Sequence, residues 1–142
     1  MSDQRVLSAA PWHFWGVGGL LLIWNGLAAF DYIATLVRFE PYLAGHPENV
    51  LDYFYNAPTW MYVVWGGSML GGFVSSVFLL LRRKIAASIA AVAWMFSVVA
   101  VIYTTINPPP IGGGIVFSIL VLILALLVIF YMIWLSRRGV LR

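Results

Sequence analysis

Residues 66–102 read GGSMLGGFVSSVFLLLRRKIAASIAAVAWMFSVVAVI, an apolar run broken at one place, Arg82-Arg83-Lys84. Each arm extends into about 20 apolar residues, the length a helix needs to cross ~30 Å of hydrocarbon. Three residues between the arms force them into a tight antiparallel hairpin. Inside lipid the backbone must satisfy its own polar groups, and runs of this length without alternation exclude a β-barrel, so both arms are helices.

The same criterion, carried outward, finds four spans: Trp12–Val37, Pro58–Leu81, Ile85–Ile106 and Ile115–Leu135. Composition agrees, with 63% hydrophobic residues, 9% charged and a mean hydropathy of +0.95. So apolar a chain of 142 residues cannot hide its side chains in one soluble core. The expected fold is all-α: a single integral membrane domain, 1–142, forming a bundle of four transmembrane helices.

Charge orients the bundle. Arg5, the 82–84 turn, and Arg137, Arg138 and Arg142 hold all the lysine and arginine except Arg38. Short cytoplasmic segments accumulate these residues, which puts both termini and the 82–84 turn in the cytoplasm. The loop 38–57, with Glu40, Glu48 and Asp52, then faces outside. A formal charge of +3 suits membrane lipid with anionic headgroups. It provides no basic stripe for nucleic acid. The absence of cysteine excludes disulfides, c-type haem attachment, cysteine-ligated clusters and thiol chemistry, and leaves no cysteine to lipidate. The first run is too long for a signal h-region and Leu27-Ala28-Ala29 is a poor cleavage site, so a removed leader is not expected. No internal repeat stands out.

Connections add local detail. Asn56 is placed to cap the second span, with Pro58 in its first turn. Asn107-Pro108-Pro109-Pro110 stops the third, and Gly112-Gly113-Gly114 allows reversal into the fourth. Within the outer loop, Pro47-Glu48-Asn49 opens a short helix with Val50, Leu51 and Phe54 at helical spacing, expected to lie at the interface.

The second span carries Gly67, Gly71 and Ser75 at intervals of four, and Ser68, Gly72 and Ser76 one step on, a surface that admits another helix closely. Internal packing and self-association both use such a stripe. Ala86, Ala90, Ala93 and Ser97 offer a matching smooth face on the third span. The fourth, nearly continuous Ile, Leu and Val, is expected to face lipid.

Polar and aromatic groups at membrane depth are the candidate ligand contacts. Asn25 lies near the middle of the first span, with Ser68, Trp94 and Ser97 at comparable depth. Trp24 and Trp94 depart from the interfacial belt that Trp12, Trp15, Trp60 and Trp134 follow, and are expected to line a pocket or fill the bundle. Asp31, in the outer third of the first span, needs partners, for which Thr35, Arg38, Tyr62 and Tyr103 are available. Around that mouth lie Tyr32, Tyr42, Tyr53, Phe54, Tyr55, Trp60, Tyr62, Trp65 and Tyr103, which together with Asp31, Glu40 and Asp52 offer a surface for a polyhydroxylated or cationic ligand, or form an interfacial belt. Asn25, Asp31, Tyr32, Glu40, Trp65, Trp94 and Tyr103 are the residues chosen for ligand contact. His46, Glu48 and Asp52 match no metal signature, so no metal site is assigned. His13 and His46 fall at opposite ends. No nucleophile elbow, H-E-x-x-H, phosphate loop or C-x-x-C occurs, so no catalytic residue or cofactor is assigned and an enzyme is not expected.

Trp12-His13-Phe14-Trp15, Trp24-Asn25-Gly26 through Phe30-Asp31-Tyr32, Glu40-Pro41-Tyr42, and Tyr53-Phe54-Tyr55 through Trp60 resemble a family of short bacterial four-span membrane proteins often labelled "sugar transporter". The resemblance is strong over the first half of the chain. It implies a bacterial inner-membrane location, with Asn25, Asp31, Glu40 and Tyr53 on the recurring pattern. Three functions stay open: a carrier of a small polar solute working as a homo-oligomer, an accessory subunit of a larger membrane complex, and a binder of lipid, quinone or pigment. A transport-related role is preferred among them on the resemblance.

Overall fold

In the computed structural model, which describes residues 9–110 and 114–142, six α-helices and no strand occur among the described residues. In chain order they are α1 (Trp12–Leu36), α2 (Glu40–Leu43), α3 (Glu48–Tyr55), α4 (Thr59–Leu80), α5 (Ile85–Ile106) and α6 (Ile115–Arg137). The helices α1, α4, α5 and α6 are long and apolar enough to cross a membrane. At 22–25 residues each they extend roughly 33–38 Å. The protein is an all-α four-helix membrane bundle. Arg5, Gly112 and Gly113 lie outside the described residues.

α4 sits between α1 and α5, and α6 packs on α5. α1 and α6, outermost in this order, meet at the end bearing Arg82, Arg83, Lys84, Arg137, Arg138 and Arg142, where His13 Nδ1 lies 2.8 Å from the Tyr131 hydroxyl. We call this end the basic rim. Asp31, Glu40, Glu48 and Asp52 mark the opposite, acidic rim.

Small residues set the helix spacing. A Cβ built on Gly71 would lie 2.9 Å from that of Ala93, and one on Gly67 would meet the Phe96 ring at 2.6 Å. Gly72, one position round the helix, faces α1, where its Cβ would meet Asn25 Oδ1 at 2.5 Å. The stripe is therefore used inside the chain: Gly67 and Gly71 against α5, Gly72 and Ser76 against α1.

Each pair of neighbours is also tied by polar groups. Asn25 Nδ2 donates to Ser76 Oγ at 3.0 Å and to Leu21 O at 2.9 Å. The Ser68 and Ser97 hydroxyls are 2.6 Å apart, and Ser75 donates to Ala86 O at 2.9 Å. Trp94 Nε1 donates to Leu122 O at 2.9 Å. Such bonds contribute about 0.6 kcal/mol each, and they fix register as well.

Large apolar side chains elsewhere point outward. Leu124 on α6 is 63% exposed and Trp24 on α1 is 61% exposed, so α6 presents the apolar outer surface expected of it, and Trp24 belongs to the outer face of the bundle rather than to its filling.

The basic rim is closed by a core of Phe14, Leu79, Ala86, Met132, Leu135, Val140 and Leu141. Its last two members come from the segment after α6, which turns back at Gly139 (φ 72°). There Val140 N donates to Leu135 O and Gly139 N to Ser136 O, the Schellman arrangement that satisfies orphan helix carbonyls. α1 and α4 end the same way but with arginine in the left-handed position, Arg38 at φ 54° and Arg82 at φ 57°. Glycine is the usual occupant because a Cβ there costs about 1–2 kcal/mol. Each arginine is held by its side chain: the Arg38 guanidinium lies 4.4 Å from the Tyr55 ring centroid, and Arg82 Nε donates to Val140 O at 2.9 Å.

The expected cap at Asn56 is corrected. Pro58 is the residue preceding α4, with no side-chain cap, while Asn56 closes α3 and donates from Nδ2 to Asp52 O. The reason lies in chain order: α3 runs on to Tyr55, so Asn56 serves the carbonyls behind it. α2 has no counterpart among the expected elements.

Candidate functional site

The segment 38–57 folds over the ends of α4 and α5. α3 turns Val50 inward, 3% exposed, and stacks Phe54 on Trp65 at 4.9 Å with the rings 17° apart. Two tyrosines secure it by donating to backbone carbonyls at the ends of α3 and α5. Tyr62 donates to Phe54 O at 2.7 Å, and Tyr53 to Asn107 O, just past α5, at 2.6 Å. Burial, and next the neighbouring Tyr103, push the Tyr53 phenol above its usual pKa, keeping it a donor.

Between α3, α4 and α5 remains a cavity of about 170 Å³. Met61, Trp65 and Met69 line it from one face of α4, Ala100, Val101, Tyr103 and Thr104 from α5, and Tyr53 and Phe54 from α3. An apolar cavity of about 150 Å³ holds a benzene-sized guest. Most hydroxyls in the wall already have acceptors: Tyr53 and Tyr62 as above, and Thr104 at Ala100 O, 3.0 Å. Tyr103 and Trp65 are the lining residues whose donors make no hydrogen bond among the described residues, although both rings are packed, Tyr103 edge-on to Trp60 and Trp65 edge-on to Tyr32. The wall is apolar.

Comparison with protein-family models, with curated proteins and with solved structures finds no match to this chain. The site therefore rests on its own geometry.

Of the seven residues chosen from sequence, Trp65 and Tyr103 line the cavity. Tyr32 stands directly behind it. Its ring is edge-on to Trp65 at 5.0 Å, its hydroxyl donates to Tyr62 O at 3.2 Å, and Gly66 leaves the space it fills. Asn25 and Trp94 are not brought to the cavity; both are engaged between helices. Asp31 is also elsewhere, and its expected partners are corrected. Its carboxylate accepts from Tyr42 at 2.8 Å, because the left-handed turn at Arg38 folds α2 back over α1, while Arg38 goes to Tyr55 and Tyr103 to Trp60. Glu40 opens α2 and is exposed.

Asp31 and Tyr42 form a second polar feature. The hydrogen bond to Asp31, then burial, then the carboxylate charge hold the Tyr42 phenol above its ordinary pKa. His46 lies 5.1 Å from the Tyr42 ring, centroid to centroid, and its Nδ1 is buried without a hydrogen-bond partner.

Met61, Met69, Ala100, Val101 and Thr104 were not among the sequence candidates. Their signal was positional: Met61, Trp65 and Met69 recur every fourth residue, as do Ala100 and Thr104, giving two facing stripes.

Proposed function

We propose that this membrane protein binds a small amphipathic molecule in the acidic-rim cavity, one with a single-ring-sized apolar body and a hydrogen-bond acceptor such as a carbonyl. The observation that carries this reading is the cavity itself, with apolar walls and a ring-sized volume, and with Tyr103 and Trp65 among its lining residues. Apolar burial supplies affinity and the two donors supply orientation. The wall has no paired acid and base, which favours binding without a chemical step.

A quinone-like or other ring-bearing membrane compound fits better than a polar sugar, which would leave many hydroxyls facing apolar walls without partners. The charge distribution supports an inner-membrane orientation with the basic rim in the cytoplasm and the cavity outside.

Acetophenone and ethylbenzene share a ring and differ in a carbonyl, which makes them direct probes. Equilibrium binding to the protein in detergent micelles, with partition into empty micelles subtracted, is expected to saturate for both and to be about tenfold tighter for acetophenone. Ala100→Phe fills the cavity and should abolish saturable binding of both, with helicity checked by circular dichroism. Tyr103→Phe should reduce the ketone preference alone. Equal saturable binding by wild type and Ala100→Phe would refute the reading.

A further inference from the structure

At the basic rim, two hydrogen bonds flank Arg83 in a specific pattern. Arg142 N donates to Arg82 O at 2.7 Å, and Lys84 N donates to Arg142 O at 2.8 Å. This is the bonding of one rung of a parallel β ladder, although no strand forms, and it makes Arg83 and Arg142 direct neighbours with backbones on the order of 4.8 Å apart. Both side chains are exposed. The pairing is held from below, because Val140 and Leu141 are 4% and 1% exposed within the core and Arg82 Nε is bonded to Val140 O.

Like charges on neighbouring residues repel, so an arrangement that sets two arginine backbones side by side gains when an anion sits between their side chains. Apart from the α-carboxylate of Arg142, one oxygen of which already takes the Lys84 N–H, no acidic group among the described residues lies at this end; Asp31, Glu40, Glu48 and Asp52 are all at the other. Lys84 follows directly, and Arg137 and Arg138 end α6 nearby, with the Arg138 guanidinium 4.3 Å from the Trp134 ring centroid. All these cations stand where the apolar spans end, at the depth of lipid phosphates.

The geometry points to an anionic phospholipid headgroup site, in which Arg83 and Arg142 grip one phosphate and Lys84 adds charge. Guanidinium groups bind phosphate oxygens through paired N–H donors, whereas lysine acts as a point charge. The buried Val140-Leu141 segment is then the device that brings the second arginine to the first.

Native mass spectrometry of the full chain, released from micelles containing equal amounts of phosphatidylglycerol and phosphatidylcholine, tests the site. Wild type is expected to retain phosphatidylglycerol preferentially. Arg83→Gln/Arg142→Gln should reduce that preference about thirtyfold, and Arg83→Lys/Arg142→Lys should reduce it in part. Arg38→Gln, which removes a charge from the opposite rim, should leave it unchanged. No preference in wild type, or an unchanged preference in the double glutamine variant, would overturn the site. A double lysine variant equal to wild type would replace a gripping pair with general surface charge, and displacement of lipid by millimolar inorganic phosphate would reassign the site to a free anion; either overturns the proposal.

Discussion

Gly71→Ala places a methyl group where α4 and α5 touch. Its Cβ would lie 2.9 Å from Ala93 Cβ and 3.6 Å from Ala93 Cα. Neither atom can swing aside, since both are at the base of a helical residue. Ordinary contact begins at 3.4 Å, so the helices must part locally by about 0.5 Å to accept the methyl group. That movement stretches the Ser68–Ser97 bond from 2.6 Å to about 3.1 Å, and Ser75 to Ala86 O from 2.9 Å to about 3.4 Å, at or beyond good geometry. Overpacking costs about 1–3 kcal/mol, and a weakened interhelical bond adds up to about 0.6 kcal/mol. Alanine returns about 1 kcal/mol through its higher helix propensity. Gly19→Ala isolates that last contribution, because nothing lies within 4 Å of its added Cβ. Reversible unfolding in mixed micelles, followed by circular dichroism, should place Gly71→Ala about 1–4 kcal/mol below Gly19→Ala. If the two variants agree within about 0.5 kcal/mol, the stripe does not pack on α5 and the reasoning fails.

A double-mutant cycle on Asn25→Leu and Ser76→Ala should give a coupling of about 0.6 kcal/mol and no more than about 1.7 kcal/mol; a coupling indistinguishable from zero would remove the α1–α4 tie. Tyr42, with its pKa raised in the folded state, gives stability that is complete below the ordinary phenol pKa and is lost as pH rises through the raised value. Alkaline ultraviolet titration, with Tyr42→Phe as the blank, should therefore show its ionisation moving to lower pH in Asp31→Asn, and an unmoved titration would separate the two groups. Arg82→Gly relieves the left-handed backbone but deletes the bond to Val140 O, so the Arg142 amide should exchange with solvent faster while α4 stays folded. Unchanged exchange at Arg142 would show that the arginine side chain does not hold the segment.

The spans and their hairpin were legible because lipid imposes one length and one periodicity, and because Arg82-Arg83-Lys84 leaves no room for any other connection. Packing was half legible. Glycine and serine every fourth residue announce close approach, but the second row divides, Ser68 meeting α5 while Gly72 and Ser76 meet α1, and sequence depth does not give the angle around the helix axis. For that reason Asn25, level with Ser68 and Ser97 by counting, pairs instead with Ser76, about two turns further along α4. Asp31 defeated local spacing for a related reason. Helical periodicity carries Thr35 and Arg38 along its face only until the chain leaves the helix, and a left-handed arginine is not announced by sequence as glycine would be. Gly139 is the contrasting case, a glycine that marks its own turn. The cavity walls on α4 and α5 repeat visibly, yet their enclosure depends on α3 folding over them, a long-range event secured by Tyr53 and Tyr62.

Because the sequence contains no cysteine, single cysteines introduced at the two rims can be labelled without background, and they test most directly whether the bundle crosses the membrane with its rims on opposite sides. In intact cells a membrane-impermeant maleimide should label Glu48→Cys at once and Lys84→Cys only after permeabilisation. Equal labelling of both before permeabilisation would contradict the four-span arrangement.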